Sequence, residues 1–153
     1  MLRLSKLADY GTVIMVYLAK RANQLANARD IALHTHISVP TVSKVLKRLT
    51  AASLLTSVRG VSGGYRLQRA PADISITDII YALDEPRGLT ECSLEPNTCS
   101  LQGVCHVKGN WRLISQAIES ALDSVSLEAL AKPTLQSFEL QRIKNLATGA
   151  SGG

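Results

Sequence analysis

The chain has 153 residues, of which 46% are hydrophobic and only 4% are aromatic. This length fits one domain with an appendage, and the core has to be built from aliphatic side chains. No apolar run approaches the roughly 18 residues that a membrane span needs. The first residues lack the apolar core of an export signal, so we expect a cytoplasmic protein whose three cysteines are reduced and form no disulfide framework.

Basic residues are concentrated in the first half of the chain. Residues 1–70 contain eleven Lys/Arg and two acids, whereas residues 71–153 contain six Lys/Arg and ten acids. This distribution predicts a module that faces a polyanion, joined to a segment with another task. A basic face that is merely solvated would give the same charges, so the fold has to decide between the two interpretations.

Two helices are predicted at the start of the chain. The first covers 6–21, where apolar residues approximate a helical stripe. The second covers 28–34, with Asn27 as its N-cap and with Ile31 and Leu33 as its apolar positions, although Leu33 is not ideally phased.

A third helix is predicted after a short turn, over 41–52. Ser38 is a good N-cap for it, and Pro40 lies in the first turn, where its missing N–H costs little. A short helix, a tight turn and a capped helix with a polar and basic outer face are typical of a DNA-binding helix-turn-helix.

A β-hairpin is predicted directly after this motif. Strands over 54–59 and 65–68 flank a glycine-rich turn over 60–64. Two short strands around such a turn indicate the wing of a winged helix.

The second half of the chain contains an irregular segment and a long helix. Residues 84–104 show no periodicity, and a loop of that length usually has a function or a ligand. A helix over 109–125 carries an apolar stripe that is wider than one small winged helix can bury. Isologous pairing with its copy would cover the stripe, although packing on the winged helix is an alternative. The stripe consists of Trp111, Ile114, Ile118, Ala121, Leu122 and Val125.

The predicted fold is mainly α with a small β-hairpin wing, a winged helix-turn-helix plus a long dimerisation helix. We expect a DNA-binding domain over 1–84, a cysteine-rich cluster-binding loop over 85–106, a dimerisation helix region over 107–132 and a partly disordered tail over 133–153. Smaller predicted segments are a helix over 76–83 that begins near Ser75 or Thr77, a turn over 127–131 that Pro133 ends, a weak amphipathic helix over 135–146 and a disordered end over 147–153.

Candidate DNA-binding residues lie on the third helix and on the wing. Short polar side chains near a recognition helix N-terminus suit base edges, and Lys or Arg nearby suits phosphates. Arg59, at the root of the glycine turn, could enter the minor groove. A winged helix that binds protein is the alternative, which the basic half disfavours. The candidates are Thr41, Ser43 and Lys44 for bases, Lys47 and Arg48 for phosphates, Arg59 for the minor groove, and their neighbours Ser38 and Gly60.

All three cysteines of the chain, Cys92, Cys99 and Cys105, fall within one irregular segment. Thiolates grouped in this way favour iron–sulfur clusters, zinc or copper. The paired Cys spacing that is typical of zinc is absent, and wide spacing better suits a cluster with each thiolate on a different iron. His106 adjoins the third cysteine and could also be a ligand.

Several motifs along the chain, taken in their order, make it resemble the winged-helix iron–sulfur transcriptional regulators typified by IscR and NsrR. The resemblance is strongest to the branch that regulates SUF-system iron–sulfur assembly. The resemblance runs from about residue 3 to residue 132. Its marks are Arg3-Leu4-Ser5-Lys6, Ile37-Ser38, the run Val58-Arg59-Gly60-Val61-Ser62-Gly63-Gly64-Tyr65, Ala82-Leu83-Asp84-Glu85, the three cysteines, and Trp111 six residues after the third.

The resemblance implies a homodimer and a cluster, 2Fe-2S or 4Fe-4S, that is held by Cys92, Cys99 and Cys105 and tunes operator binding. One branch of the family has a histidine ligand three residues after the third cysteine, where this chain has Lys108. Another branch uses an acid on the first helix of the partner subunit, a position that Asp9 occupies here. We therefore favour Asp9 over His106 as the fourth ligand. Ser43 stands where some members carry an acid, so the preferred operator stays open.

The sequence thus predicts a regulator that senses a cluster and binds a double-stranded DNA operator, a repressor of iron–sulfur assembly genes. The alternative is a winged-helix regulator or a protein-binding module with a structural zinc or a thiol redox switch at the cysteines. An enzyme with Cys105 as nucleophile and His106 as base is disfavoured, because the sequence supplies no orienting third group.

Overall fold

The computed structural model describes residues 4–21, 24–84 and 106–133. The described part is mainly helical with one two-stranded antiparallel sheet, which confirms the predicted fold class. The predicted segments over 135–146 and 147–153, and nearly all of 84–104, lie outside it. The elements are α1 (Lys6–Ala19), α2 (Ala28–Thr35), α3 (Val39–Ala51), β1 (Leu55–Val58), β2 (Gly64–Leu67), a short 3-10 helix (Pro71–Asp73), α4 (Ile76–Leu83), α5 (Lys108–Asp123) and α6 (Leu127–Ala131).

Side-chain caps set where several of these helices begin. The Asn27 side chain accepts hydrogen bonds from the backbone N–H groups of Arg29 and Asp30, which confirms it as the N-cap of α2. At α4, the Ser75 hydroxyl accepts from the Asp78 N–H, and the Asp78 carboxylate accepts from the Ser75 N–H. This reciprocal pair satisfies two backbone donors that the helix itself leaves without partners.

One aliphatic core joins α1, α2, α3, the hairpin, α4 and α6. Leu127 of α6 is fully buried in it, so the chain returns to the winged helix after α5. An antiparallel bridge between Ser75 and Ser126 fixes this return. Leu33, the poorly phased apolar residue of α2, is 72% exposed, because two residues along a helix rotate it away from the buried Ile31. The largest fully buried side chains are Ile14, Met15, Ile31, Leu46, Leu49, Leu54, Leu55, Ile74, Ile79, Leu83, Leu127 and Val42.

Gly11 lets α1 and α4 approach each other closely. A Cβ atom at this position would overlap the Leu83 side chain and lie 3.7 Å from Ile79 Cγ2. Leu83 is itself buried, so it has little space in which to move aside. The helical glycine, which is unfavourable for α1 alone, is therefore explained by the packing of two helices.

The two ends of α5 have different surroundings. Val125, just after the helix, is buried, and its carbonyl accepts a hydrogen bond from the Ile76 N–H at the start of α4. In the first half of α5, Trp111 is 40% exposed, Leu113 67% and Ile114 44%. The predicted apolar stripe is thus covered at one end and open at the other in a single chain. Within the described ranges, no helix is long and apolar enough to span a bilayer.

Candidate nucleic-acid interface

Helix α3 separates an apolar face from a basic one. Its buried residues are Val42, Val45, Leu46 and Leu49, which recur with the period of a helix. On the other faces, Lys44 and Lys47 are exposed, while Thr41 and Ser43 are partly buried. With Arg48, the structure therefore places five of the predicted DNA-binding residues on the helix, and the ammonium groups of Lys44 and Lys47 are available to solvent.

The turn before α3 is held by short polar contacts. His36 adopts a left-handed backbone, φ 57°, and ends α2. Ser38 occupies the N-cap position of α3 as predicted, but its side chain caps no backbone N–H. Its hydroxyl lies 2.8 Å from the Thr41 hydroxyl instead. Two hydroxyl groups therefore lie together at the exposed start of the helix, where a recognition helix contacts base edges.

Arg48 makes a contact that the sequence did not indicate. Its Nη1 atom donates a hydrogen bond to the backbone carbonyl of Leu83, at the end of α4. The last carbonyls of a helix lack partners within the helix and favour a cation. Arg48 is also predicted to contact a DNA phosphate. That role stays a prediction, because the hydrogen bond to Leu83 does not test it.

The hairpin has a narrow turn that depends on glycine. Strands β1 and β2 pair from Leu55 with Leu67 to Val58 with Gly64. The Gly63 N–H donates to the Gly60 carbonyl at 3.0 Å, and Gly60 has φ 115°, which L side chains rarely adopt. Arg59 and Gly60 are exposed, and Val61 is fully exposed at the tip. The turn thus projects a guanidinium group, a glycine and a valine into solvent.

A backbone bridge fastens this wing to the segment between α1 and α2. Ala26 and Tyr65 exchange two N–H···O=C bonds, of 3.1 and 2.9 Å. A Cβ atom at Gly64 would lie 2.8 Å from the Ala26 carbonyl carbon and oxygen, so only glycine permits this approach. The wing is consequently anchored at its base rather than held by the hairpin alone.

A polar cluster joins α1 to α2 beside the helix-turn-helix. Arg21 Nη1 donates to the Tyr17 hydroxyl at 2.6 Å, and the guanidinium carbon lies 5.1 Å from the Tyr17 ring centroid. The Tyr17 and His34 rings are 5.3 Å apart, and His34 Nδ1 lies 2.7 Å from the Asp30 carbonyl oxygen. His34 therefore packs at the surface.

The predicted cluster ligands are only partly described. Cys92, Cys99 and Cys105 lie outside the described residues. Asp9 is exposed in the first turn of α1, and His106 is exposed just before α5. The described residues hold no group of three metal-ligating side chains.

The chain is similar to named transcription regulators over most of its length. It is 32% identical over 132 residues to the HTH-type transcriptional regulator IscR of Xenorhabdus nematophila, which covers 86% of this chain and 80% of the relative. It is 32% identical over 124 residues to the HTH-type transcriptional regulator NsrR of Bacillus licheniformis, covering 80% of this chain and 85% of the relative.

Solved structures agree with these sequence matches. The structure of CymR (YrzC), described as the global cysteine regulator of B. subtilis, superposes with a TM-score of 0.69 at 32% identity, covering 86% of this chain and 97% of that one. The family model described as "Rrf2: Iron-dependent Transcriptional regulator" matches residues 4–133. The exposed basic helix and the anchored arginine-glycine wing agree with this match. The chain therefore belongs to the Rrf2 family of winged-helix transcriptional regulators and is not an enzyme.

Proposed function

We propose that α3 and the wing bind a double-stranded DNA operator. The observation that carries this proposal is the exposed face of α3, with Lys44 and Lys47, followed in sequence by the anchored wing with Arg59. Helix α3 would enter the major groove, and Arg59 would reach the adjacent minor groove. The proposed DNA-binding residues are Ser38, Thr41, Ser43, Lys44, Lys47, Arg48, Arg59 and Gly60.

The open end of α5 supports a homodimer through this helix. Trp111, Leu113 and Ile114 form an apolar surface that the described part of the chain leaves exposed. A second copy of the same helix offers the same surface, so two-fold pairing would bury both at once. Two winged helices held in this way would bind two operator half-sites.

An iron–sulfur cluster is the cofactor that the donor set fits best. Three thiolates in one segment supply soft ligands, and the family description names iron dependence. Such a cluster would supply a chemistry that responds to iron supply, oxygen or nitric oxide. Cys92, Cys99 and Cys105 would hold it, and its presence would decide operator affinity. The regulated genes would be those of cluster assembly, with the protein as repressor.

Asp9 is the fourth ligand that we propose, with His106 as the alternative. The Asp9 carboxylate is exposed on α1 and has no side-chain hydrogen bond or ion pair to any other described residue. A carboxylate that its own chain leaves available could be reached by the cysteine segment of a second subunit. Such a ligand would join the sensing segment of one chain to the DNA-binding half of the other.

Anaerobic purification followed by iron, zinc and acid-labile sulfide analysis tests the cofactor. The proposal expects iron and sulfide together with visible absorbance. Stoichiometric zinc in a colourless protein would support a structural zinc site instead. A metal-free protein that still binds DNA would support a thiol-based or cysteine-linked signal. This signal is the second candidate, because the structural neighbour CymR is described as a global cysteine regulator.

A further inference from the structure

Helix α4 lies between the recognition helix and α5 and packs against both. Its two neighbours have different proposed tasks, DNA reading by α3 and dimerisation by α5. The contacts of α4 therefore decide how the DNA-reading surface is oriented relative to the proposed dimer surface.

On one side, α4 is tied to α3 by Arg48. The guanidinium donates to the Leu83 carbonyl, and 35 residues of chain separate the two partners. Arg48 is near the end of α3, one residue before the buried Leu49. This hydrogen bond connects the end of the recognition helix to the end of α4.

On the other side, α4 is tied to α5 by Tyr81. Its hydroxyl donates a 2.7 Å hydrogen bond to Glu119 Oε1. The hydrogen bond with Glu119, then burial and the charges of Glu119 and Asp123, raise the pKa of Tyr81 to about 12. Tyr81 thus keeps its proton, and remains a donor to Glu119, at any pH near neutrality.

The start of α4 is held by backbone bonds to the segment that follows α5. The Ile76 N–H donates to the Val125 carbonyl at 3.0 Å, and the Leu127 N–H donates to the Ile74 carbonyl at 2.7 Å. Helix α5 is thus fastened to the winged helix at its C-terminal half and at its end. Its exposed apolar residues lie in the N-terminal half, away from these attachments.

We propose that Arg48 and the Tyr81–Glu119 pair are positioning residues that fix the angle between α3 and α5, and so set the half-site spacing that a dimer accepts. The inference rests on the proposed function, dimerisation through α5 on a two-half-site operator. Helix α5 has 16 residues and is about 24 Å long at 1.5 Å per residue. Rotating it by roughly 10° about its attached end would move the other end by about 4 Å, close to the rise of about 3.4 Å per base pair.

This role differs measurably from a phosphate contact. Loss of a phosphate contact weakens binding to all duplexes alike and lowers the salt dependence. Loss of a positioning contact leaves each half-site affinity unchanged, because the reading surface is intact. It reduces only the preference for one spacing over its neighbours.

The experiment compares Tyr81→Phe, Glu119→Ala and Arg48→Gln with the wild-type protein. The first probe is a duplex that the wild-type protein selects from a random library. In two further probes, the spacing between the half-sites of this duplex is about one base pair longer or shorter, and a fourth probe contains a single half-site. Fluorescence anisotropy gives each affinity, and sedimentation confirms the dimer. Glu119→Gln keeps an oxygen acceptor for Tyr81, and Glu128→Ala removes an exposed acid on α6 as the matched charge control.

We expect the three test variants to remain dimeric and to lose spacing preference by roughly fivefold, the worth of one hydrogen bond. Tyr81→Phe and Glu119→Ala, which lie outside the proposed DNA-binding residues, should also bind the single half-site like wild type. Glu119→Gln and Glu128→Ala should keep the preference. Unchanged spacing preference in Tyr81→Phe and Glu119→Ala, or an equal loss of affinity for the single half-site in these two variants, overturns this inference alone. A wild-type chain that is monomeric or indifferent to spacing overturns the proposed function and this inference with it.

Discussion

The Gly63→Ala substitution tests how strictly the wing geometry is required. A Cβ atom at Gly63 would overlap the Val58 carbonyl oxygen and lie 2.9 Å from both the Arg59 carbonyl carbon and the Gly60 oxygen. All three atoms are backbone, so no side-chain rotation relieves the overlap. The hairpin has to shift by about 1 Å, or open, if an alanine is to fit.

The free-energy cost follows from these contacts. Overlap with a packed backbone costs about 1–3 kcal/mol, and the lower chain entropy of unfolded alanine offsets about 0.5–1 kcal/mol. The middle of both ranges gives a net loss of about 1 kcal/mol in the free energy of unfolding, which for a chain of this size lowers Tm by about 2–4 °C. If the hairpin opens instead, Arg59 is displaced, and operator binding weakens by about 1–3 kcal/mol.

Thermal unfolding and fluorescence anisotropy with the selected duplex measure the two effects. Gly109→Ala is the matched control, because a Cβ atom there meets nothing within 4 Å. It should keep the stability of the chain or raise it by about 0.5–1 kcal/mol, since alanine favours the helix. A Gly63→Ala variant that matches wild type in both Tm and operator affinity would refute the assigned wing geometry.

Three further predictions concern DNA, assembly and the cluster. Arg59→Ala should weaken operator binding by roughly 1–3 kcal/mol. Lys47→Ala should weaken binding to all duplexes alike and reduce the slope of affinity against salt by about 1 in a salt titration. If both variants bind like wild type, the groove assignment is wrong. Ile118→Glu places a charge in the proposed seam and should give monomers in sedimentation; a dimer at micromolar concentration would rule out α5 as the interface. Asp9→Ala should keep the dimer but shorten the lifetime of the visible absorbance, and His106→Ala should not; the reverse outcome would favour a cluster site within one chain.

Much of the fold could be predicted because its local signals are strong. Asn27 and Ser75 are side chains that cap helices, and both begin helices as the sequence indicated. A glycine-rich turn between two short runs indicated the hairpin. The period of apolar residues placed α3, but it left the environment of Leu33 open, since α2 is too short for its phase to be read from two apolar residues.

The contacts between distant segments could not be predicted from the sequence. The hydrogen bond from Arg48 to Leu83 joins a side chain to a carbonyl, and any residue supplies a carbonyl. The close approach at Gly11 depends on which side of α1 receives α4, which no local pattern states. The return of Leu127 to the core likewise depends on the whole fold, although its apolar character was visible. Long-range pairing therefore had to come from the structure.

Operator affinity of one anaerobic preparation, measured before and after its cluster is removed by a chelator, tests the central claim most directly. The account predicts that the purified protein contains iron and sulfide and that cluster removal changes its affinity for the selected duplex by at least about tenfold, a coupling of about 1.4 kcal/mol. The thermal unfolding curve should still show a folded winged helix after removal. Equal affinity before and after removal, or a preparation without iron and sulfide that binds the duplex fully, would contradict the proposal that a cluster governs DNA binding.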